Sequence, residues 1–114
     1  MRRAGALLVL AATGVAVGAP RAGEAELDHL REPAREALKA SCGRCHDHAL
    51  PTARPQALRI FDLAEPEWSA RLTAAQMDHM VARFESFRMP ESDRVAVQRF
   101  LDAERARRSS QPPP

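Results

Sequence analysis

The chain has 114 residues, of which 17 are basic, 15 acidic and 45% hydrophobic. This length is enough for one domain and too short for an assembly of separate modules. The formal net charge of +2 lacks the strong basic excess expected of a nucleic-acid-binding protein.

Residues 1–25 have the features of a secretory signal peptide. Two arginines precede an apolar run over residues 4–19, and small residues follow. The run is shorter than the roughly 20 apolar residues that a membrane-spanning helix needs, and no later stretch comes close. Cleavage after Ala25 leaves residues 26–114 with 14 basic and 14 acidic side chains, and cleavage after Gly18 is an alternative. We therefore expect a near-neutral protein exported to the periplasm, with no membrane span after cleavage and no nucleic-acid partner.

The remaining chain shows helix signals and almost no strand signals. Apolar residues recur at helical spacing and a proline suits the first turn, which predicts a helix from about Pro33 to Cys45. The region from Asp47 to Glu67 contains three prolines and no sustained period. It is therefore expected to form loops with one short helical turn near Gln56–Phe61.

A capping box marks the start of the next helix. In Thr73-Ala-Ala-Gln76, the threonine hydroxyl can accept a hydrogen bond from the glutamine N–H while the glutamine side chain reaches back. The apolar stripe of this helix consists of Met77, Met80, Val81 and Phe84. Met89-Pro90 is expected to end the segment, because proline disfavours helical geometry in the residue before it.

Ser92 and Asp93 are expected to open a last helix, whose apolar positions are Val97, Phe100 and Leu101. Residues 109–114 are polar and proline-rich, which predicts a disordered tail. The expected fold class is therefore all-α, with three to four short helices in a domain over residues 26–108.

The apolar content of residues 26–114 is low for a stable core. Their 36 hydrophobic residues include 14 alanines and two cysteines, so 20 bulky apolar side chains are left. Chains this small commonly need a disulfide, a metal or a bound group for stability. A stabilising group is therefore expected, around which a set of larger side chains would pack: Leu38, Leu58, Leu72, Met80, Val81, Phe84 and Phe100.

The strongest motif is Cys42-Gly43-Arg44-Cys45-His46, a Cys-x-x-Cys-His pattern typical of c-type haem attachment. Two thiols three positions apart can add to the two vinyl groups of a porphyrin. The next residue then offers its imidazole to the iron. The motif predicts one covalent haem c, with thioether bonds to Cys42 and Cys45 and with His46 as the proximal iron ligand.

Around this motif the chain resembles the monohaem c-type cytochromes, the small class I kind. The resemblance depends on the motif following a helix, on Met89-Pro90 and on a final helix, and it covers residues 27–104. It implies a helical wrap around one haem and one-electron transfer by the iron between redox partner proteins, without enzymatic activity. It also implies that Met89, 43 residues after His46, is the sixth iron ligand, a soft thioether that raises the reduction potential.

Other sixth ligands are open at this point. Met77 and Met80 lie on the apolar stripe, where methionine is more often part of the core, and His79 beside them is typical of a surface histidine. The iron could also be five-coordinate, which would suit a protein that binds or senses a small gas. A cytochrome subunit of a dehydrogenase or oxidase complex is a further alternative.

Several side chains are candidates for the surroundings of a haem. His48 is expected either to bond a propionate or to face solvent. Pro51 or Pro55 is expected to supply the carbonyl that orients His46. The candidate propionate partners are Arg44, Arg54 and Arg59. The large groups available for packing are Phe61, Trp68, Phe84, Phe87 and Phe100.

Two other classes of protein fit the motif less well. A thiol-disulfide oxidoreductase also uses Cys-x-x-Cys, but normally within a βαβ unit for which the sequence gives no signal. A zinc site could use Cys42, Cys45, His46 and His48, yet four ligands within seven residues are a poor tetrahedral frame.

Overall fold

A computed structural model describes residues 22–111, which contain four helices and no strand. The helices are α1 (Ala22–His46), α2 (Pro55–Ile60), α3 (Ala74–Ala82) and α4 (Glu91–Ser109). The predicted all-α class is therefore confirmed. The predicted signal peptide lies outside the described residues except for residues 22–25, which form the first turn of α1. Residues 112–114 of the predicted tail also lie outside them.

Helix α1 begins at Ala22, eleven residues earlier than predicted, and Pro33 lies inside it rather than in its first turn. An internal proline costs a helix about 3 kcal/mol, because it removes one backbone hydrogen bond and crowds the preceding turn. Leu27 and Ala34 are both buried, and the most extensive helix–helix contact in the described chain is between α1 and α4. Burial of this face on α4 offsets the cost of the proline.

The positions of the two middle helices agree with the predictions made from the sequence. Helix α2 coincides with the short helical turn predicted near Gln56–Phe61. At the start of α3, the backbone N–H of Gln76 donates to the Thr73 hydroxyl at 3.1 Å, and the backbone N–H of Thr73 donates to the Gln76 side chain at 2.9 Å. The predicted capping box is therefore confirmed. Helix α3 ends at Ala82, so Phe84 belongs to the turn that follows it.

The core lies between α1 and α4 and extends to the loops and to α3. Of the seven side chains expected to pack at the centre, five are buried, whereas Leu58 and Val81 are partly exposed. The buried five are Leu38, Leu72, Met80, Phe84 and Phe100. Within residues 22–111, no helix is long and apolar enough to cross a membrane.

The C-terminal end of α4 is fixed by a buried carboxylate. Glu104 is 2% exposed and accepts hydrogen bonds from Arg107 and Arg108 at 2.7 and 2.8 Å. Arg108 also donates to the carbonyls of Ser69 and Leu72. Burial alone would raise the pKa of Glu104, but the two arginines outweigh it and hold that pKa below its ordinary value. The last turn of α4 is therefore joined to the loop before α3.

Candidate functional site

The Cys-x-x-Cys-His motif forms the last turn of α1. Cys42 and Cys45 are three residues apart and His46 is four residues after Cys42, so helical periodicity places all three on one face. Both thiols are free and partly exposed, and Cys42 packs against the hydrophobic core. The structure therefore brings the three predicted haem-binding residues of the motif together.

The environment of Cys42 favours a protonated thiol. Burial raises the pKa of Cys42, the Arg83 guanidinium lowers it in part, and the neighbouring Cys45 thiol raises it again. Reactive redox cysteines have the opposite property, since a lowered pKa supplies the nucleophilic thiolate.

The imidazole of His46 is held by a single residue through two contacts. Its Nδ1 lies 3.1 Å from the carbonyl oxygen of Phe61, and the two rings stack in parallel with centroids 3.7 Å apart. Because a carbonyl oxygen can only accept, this hydrogen bond requires the proton on Nδ1, so the lone pair of the neutral imidazole lies on Nε2. This is the arrangement that metal-binding histidines adopt.

The prediction that Pro51 or Pro55 supplies this carbonyl was wrong. After α2 the chain returns along the end of α1, and the backbone N–H of Leu63 donates to the His46 carbonyl at 2.6 Å. This return brings Phe61 opposite the imidazole. The partner is therefore set by a contact between segments 15 residues apart, for which the local sequence gives no signal.

His48 pairs with Asp62 on the same two segments. Nδ1 of His48 lies 2.6 Å from one carboxylate oxygen of Asp62, and the backbone N–H groups of His48 and Ala64 donate to the other. The hydrogen bond and the charge of Asp62 raise the pKa of His48. Burial opposes ionisation of Asp62, but these hydrogen bonds outweigh it, so the pKa of Asp62 is lowered. His48 is exposed (58% of its side chain), and its partner is Asp62.

Met89 is buried at 3% exposure, in the same cluster against which Cys42 packs. The turn before it is a Schellman motif: the N–H of Met89 donates to the Phe84 carbonyl at 3.0 Å and the N–H of Arg88 to the Glu85 carbonyl at 3.0 Å. Arg88 occupies the left-handed position of this motif with φ of 50°, where glycine is usual. The turn therefore points Met89 inward, with Phe84 buried beside it.

Aromatic rings connect the motif with α4. Beyond the His46–Phe61 stack, Phe61 meets Trp68 at a centroid distance of 6.3 Å, and Trp68 meets Phe100 at 5.0 Å. Trp68 is 1% exposed, and its Nε1 has no hydrogen-bond partner within the described chain. A buried donor without an acceptor is costly, so this indole suits a bound group that brings its own acceptor oxygen. Phe87, another predicted packing residue, is exposed.

The remaining candidate residues lie at the surface or in the core. Arg44, Arg54 and Arg59 are exposed, and none forms an ion pair within residues 22–111. Met77 and Met80 are buried on α3, whereas His79 is exposed. In the described part of the chain, no three His, Cys, Asp or Glu side chains form a group that could hold a metal ion.

Sequence reasoning missed three residues next to the site. Phe61 was expected only to pack, and neither Asp62 nor Arg94 was singled out, although Arg94 donates to the Met89 carbonyl. Phe61 and Asp62 act through contacts that depend on how the chain returns to the end of α1, whereas Arg94 acts on a residue five positions before it. In comparisons with family models, curated proteins and solved structures, no match to this chain was found.

Proposed function

We propose that this chain is an exported, periplasmic cytochrome c that carries single electrons between redox partner proteins. One observation supports the proposal above the others: an imidazole with its Nδ1 proton engaged by the Phe61 carbonyl lies on the same helical face as two free thiols. This combination offers one nitrogen ligand and two covalent anchors in five consecutive residues.

The attachment step is an addition. Each thiol adds across one vinyl group, with sulfur bonding to one carbon and hydrogen to the other, so no atom is lost and no external oxidant is needed. Cys42 and Cys45 would be the two anchors, and Nε2 of His46 would be the nitrogen that binds the iron. Bound in this way, a haem supplies one iron that is reduced and oxidised by one electron.

Met89 is proposed as the distal ligand. Its side chain is buried, and the core that contains it packs against Cys42. Because a thioether is neutral and soft, it stabilises the reduced iron and suits a carrier of moderate or high potential. The buried Nε1 of Trp68, which has no partner among residues 22–111, also suits a group that brings carboxylate oxygens, as a haem does.

The environment of the cysteines argues against a thiol-disulfide oxidoreductase. The pKa of Cys42 is raised by burial, which disfavours the thiolate that such enzymes need. Within residues 22–111, the motif also follows helix α1 and not the strand that normally precedes a redox Cys-x-x-Cys.

The test is the mass and absorption spectrum of the protein purified from a host that matures c-type cytochromes. We expect the mass of the purified protein to exceed that of its cleaved polypeptide by one intact haem, since addition loses no atom. We also expect it to show thioether-type haem bands. Cys42→Ala combined with Cys45→Ala should abolish the added mass. A colourless protein of polypeptide mass would contradict the proposal.

The distal ligand is tested by the methionine-to-iron charge-transfer band of the oxidised protein. Met89→Ala should remove this band and speed the binding of carbon monoxide to the reduced protein. Met80→Ala, a matched change at another buried methionine, should keep the band. A parent protein that lacks the band and binds carbon monoxide rapidly would instead favour the five-coordinate, gas-binding alternative.

A further inference from the structure

The backbone of Met89 is held on both sides. Its N–H donates to the Phe84 carbonyl at 3.0 Å, and its carbonyl accepts a hydrogen bond from Nε of Arg94 at 2.8 Å. The first contact belongs to the Schellman turn, whereas the second comes from α4. Met89 is thus the point at which the turn is joined to the last helix.

Arg94 lies in the first turn of α4, where a positive charge is otherwise unfavourable. It is the fourth residue of α4, and the positive end of a helix dipole favours acidic rather than basic side chains there. Glu91 and Asp93 occupy the same turn, yet Arg94 forms an ion pair with neither of them, or with any other acid in the described chain. Its guanidinium is directed to the Met89 carbonyl instead, in a partly buried contact.

We infer that Arg94 is a positioning residue for the distal ligand, holding the Met89 thioether in place by clamping the Met89 carbonyl. The inference rests on the proposed function, because it assumes that Met89 binds iron. A thioether is a weak ligand, so an external ligand replaces it when Met89 swings away. The Arg94 hydrogen bond opposes that movement, because a donor with full charge binds a carbonyl more strongly than a neutral one.

The experiment measures how fast imidazole binds to the oxidised holoprotein, where it must displace the distal ligand. Arg94→Gln should bind imidazole about tenfold faster than the parent, the lower end of the effect of losing a residue that supports a metal ligand. Arg94→Lys, which keeps a charged donor, should give an intermediate rate. Arg99→Gln is the matched control, since Arg99 lies on the same helix, is exposed and forms no ion pair in the described chain; its rate should equal that of the parent.

Met89→Ala separates failure of this inference from failure of the proposed function. If Met89→Ala binds imidazole no faster than the parent, Met89 is not the distal ligand and the role of Arg94 falls with it, whereas haem attachment is judged separately by the added mass. If Met89→Ala is fast but Arg94→Gln and Arg94→Lys match the parent, only the role of Arg94 is overturned. A faster Arg94→Gln that keeps the helical circular dichroism of the parent supports it, because general unfolding would remove that signal.

Discussion

The carbonyl oxygen of Phe61 lies 3.1 Å from Nδ1 of His46, and the rings of the same two residues stack at 3.7 Å. One residue therefore fixes both the tautomer of the imidazole and the plane in which it lies. The two effects are separable, since the backbone carbonyl survives any substitution of the side chain.

Phe61→Leu tests the contribution of the stacked ring. The Phe61 side chain is buried, so its replacement should lower the free energy of unfolding by about 1–3 kcal/mol, the range for core substitutions that leave a gap. Urea denaturation measures the change. Phe87→Leu is the control: Phe87 is 48% exposed, and the same substitution there should stay within about 0.5 kcal/mol. Equal effects at the two positions would contradict the packing described for Phe61.

Replacement of Arg88 by glycine is expected to stabilise the folded chain. Its φ of 50° costs a residue with a β-carbon about 1–2 kcal/mol relative to glycine, and the greater freedom of glycine in the unfolded chain returns part of that. Arg88→Gly should therefore raise the free energy of unfolding by up to about 1 kcal/mol, as measured by thermal or urea denaturation. Arg88→Val should lower it, because a branched β-carbon fits this conformation worst. The reverse order of the two variants would rule out the left-handed turn.

Glu104→Gln should destabilise the end of α4. The glutamine keeps the shape but loses the charge that pairs with Arg107 and Arg108, at a cost of about 1–3 kcal/mol for hydrogen bonds to a charged group. Because the folded-state pKa of Glu104 is lowered, its contribution is present above the ordinary value of 4.5 and is lost as the pH falls through the folded value. The difference in urea midpoint between parent and variant should therefore shrink on acidification. A difference that does not change with pH would contradict the ionic contact.

The His48–Asp62 pair predicts a stability maximum between two pH limits. The raised pKa of His48 means that its contribution is full below the ordinary value of 6.5 and is lost as the pH rises through the folded value. The lowered pKa of Asp62 means that its contribution is lost as the pH falls through its own folded value. Unfolding midpoints measured across this range should fall on both sides of the maximum. His48→Ala should flatten the alkaline side, and a variant with an unchanged alkaline side would show that the pair is not formed.

The features that the sequence predicted best are those that depend on a few adjacent residues. The capping box at Thr73 and the turn of α2 depend on neighbours within one helical turn, and both were located correctly. The predicted start of α1 was wrong because the helix continues through Pro33, and the burial of Leu27 and the packing of α1 on α4 account for this. The carbonyl partner of His46 was wrong for a related reason: it depends on the path of the chain from α2 back to α1.

The distal segment gives another example of this limit. Met89 was singled out by its place before Pro90, but the turn that buries it has arginine where glycine would have signalled a helix end. The hydrogen bond from Arg94 joins α4 to Met89, two residues before the helix begins, and an arginine at this position matches no recognised sequence pattern. Patterns of residue type therefore located the candidate ligands, whereas the groups that orient them emerged only from the folded chain.

The packing of α1 on α4 has a consequence for the order in which the protein is completed. Helices α1 and α4 must meet across a long stretch of chain, since 44 residues lie between the end of α1 and the start of α4. Until α4 packs on α1, the sulfurs of Cys42 and Cys45 are therefore open on the side that the hydrophobic core later covers. If the two thiols are modified as proposed, an enzyme acting before α4 has packed would meet an incompletely packed polypeptide and would not have to unfold a finished protein.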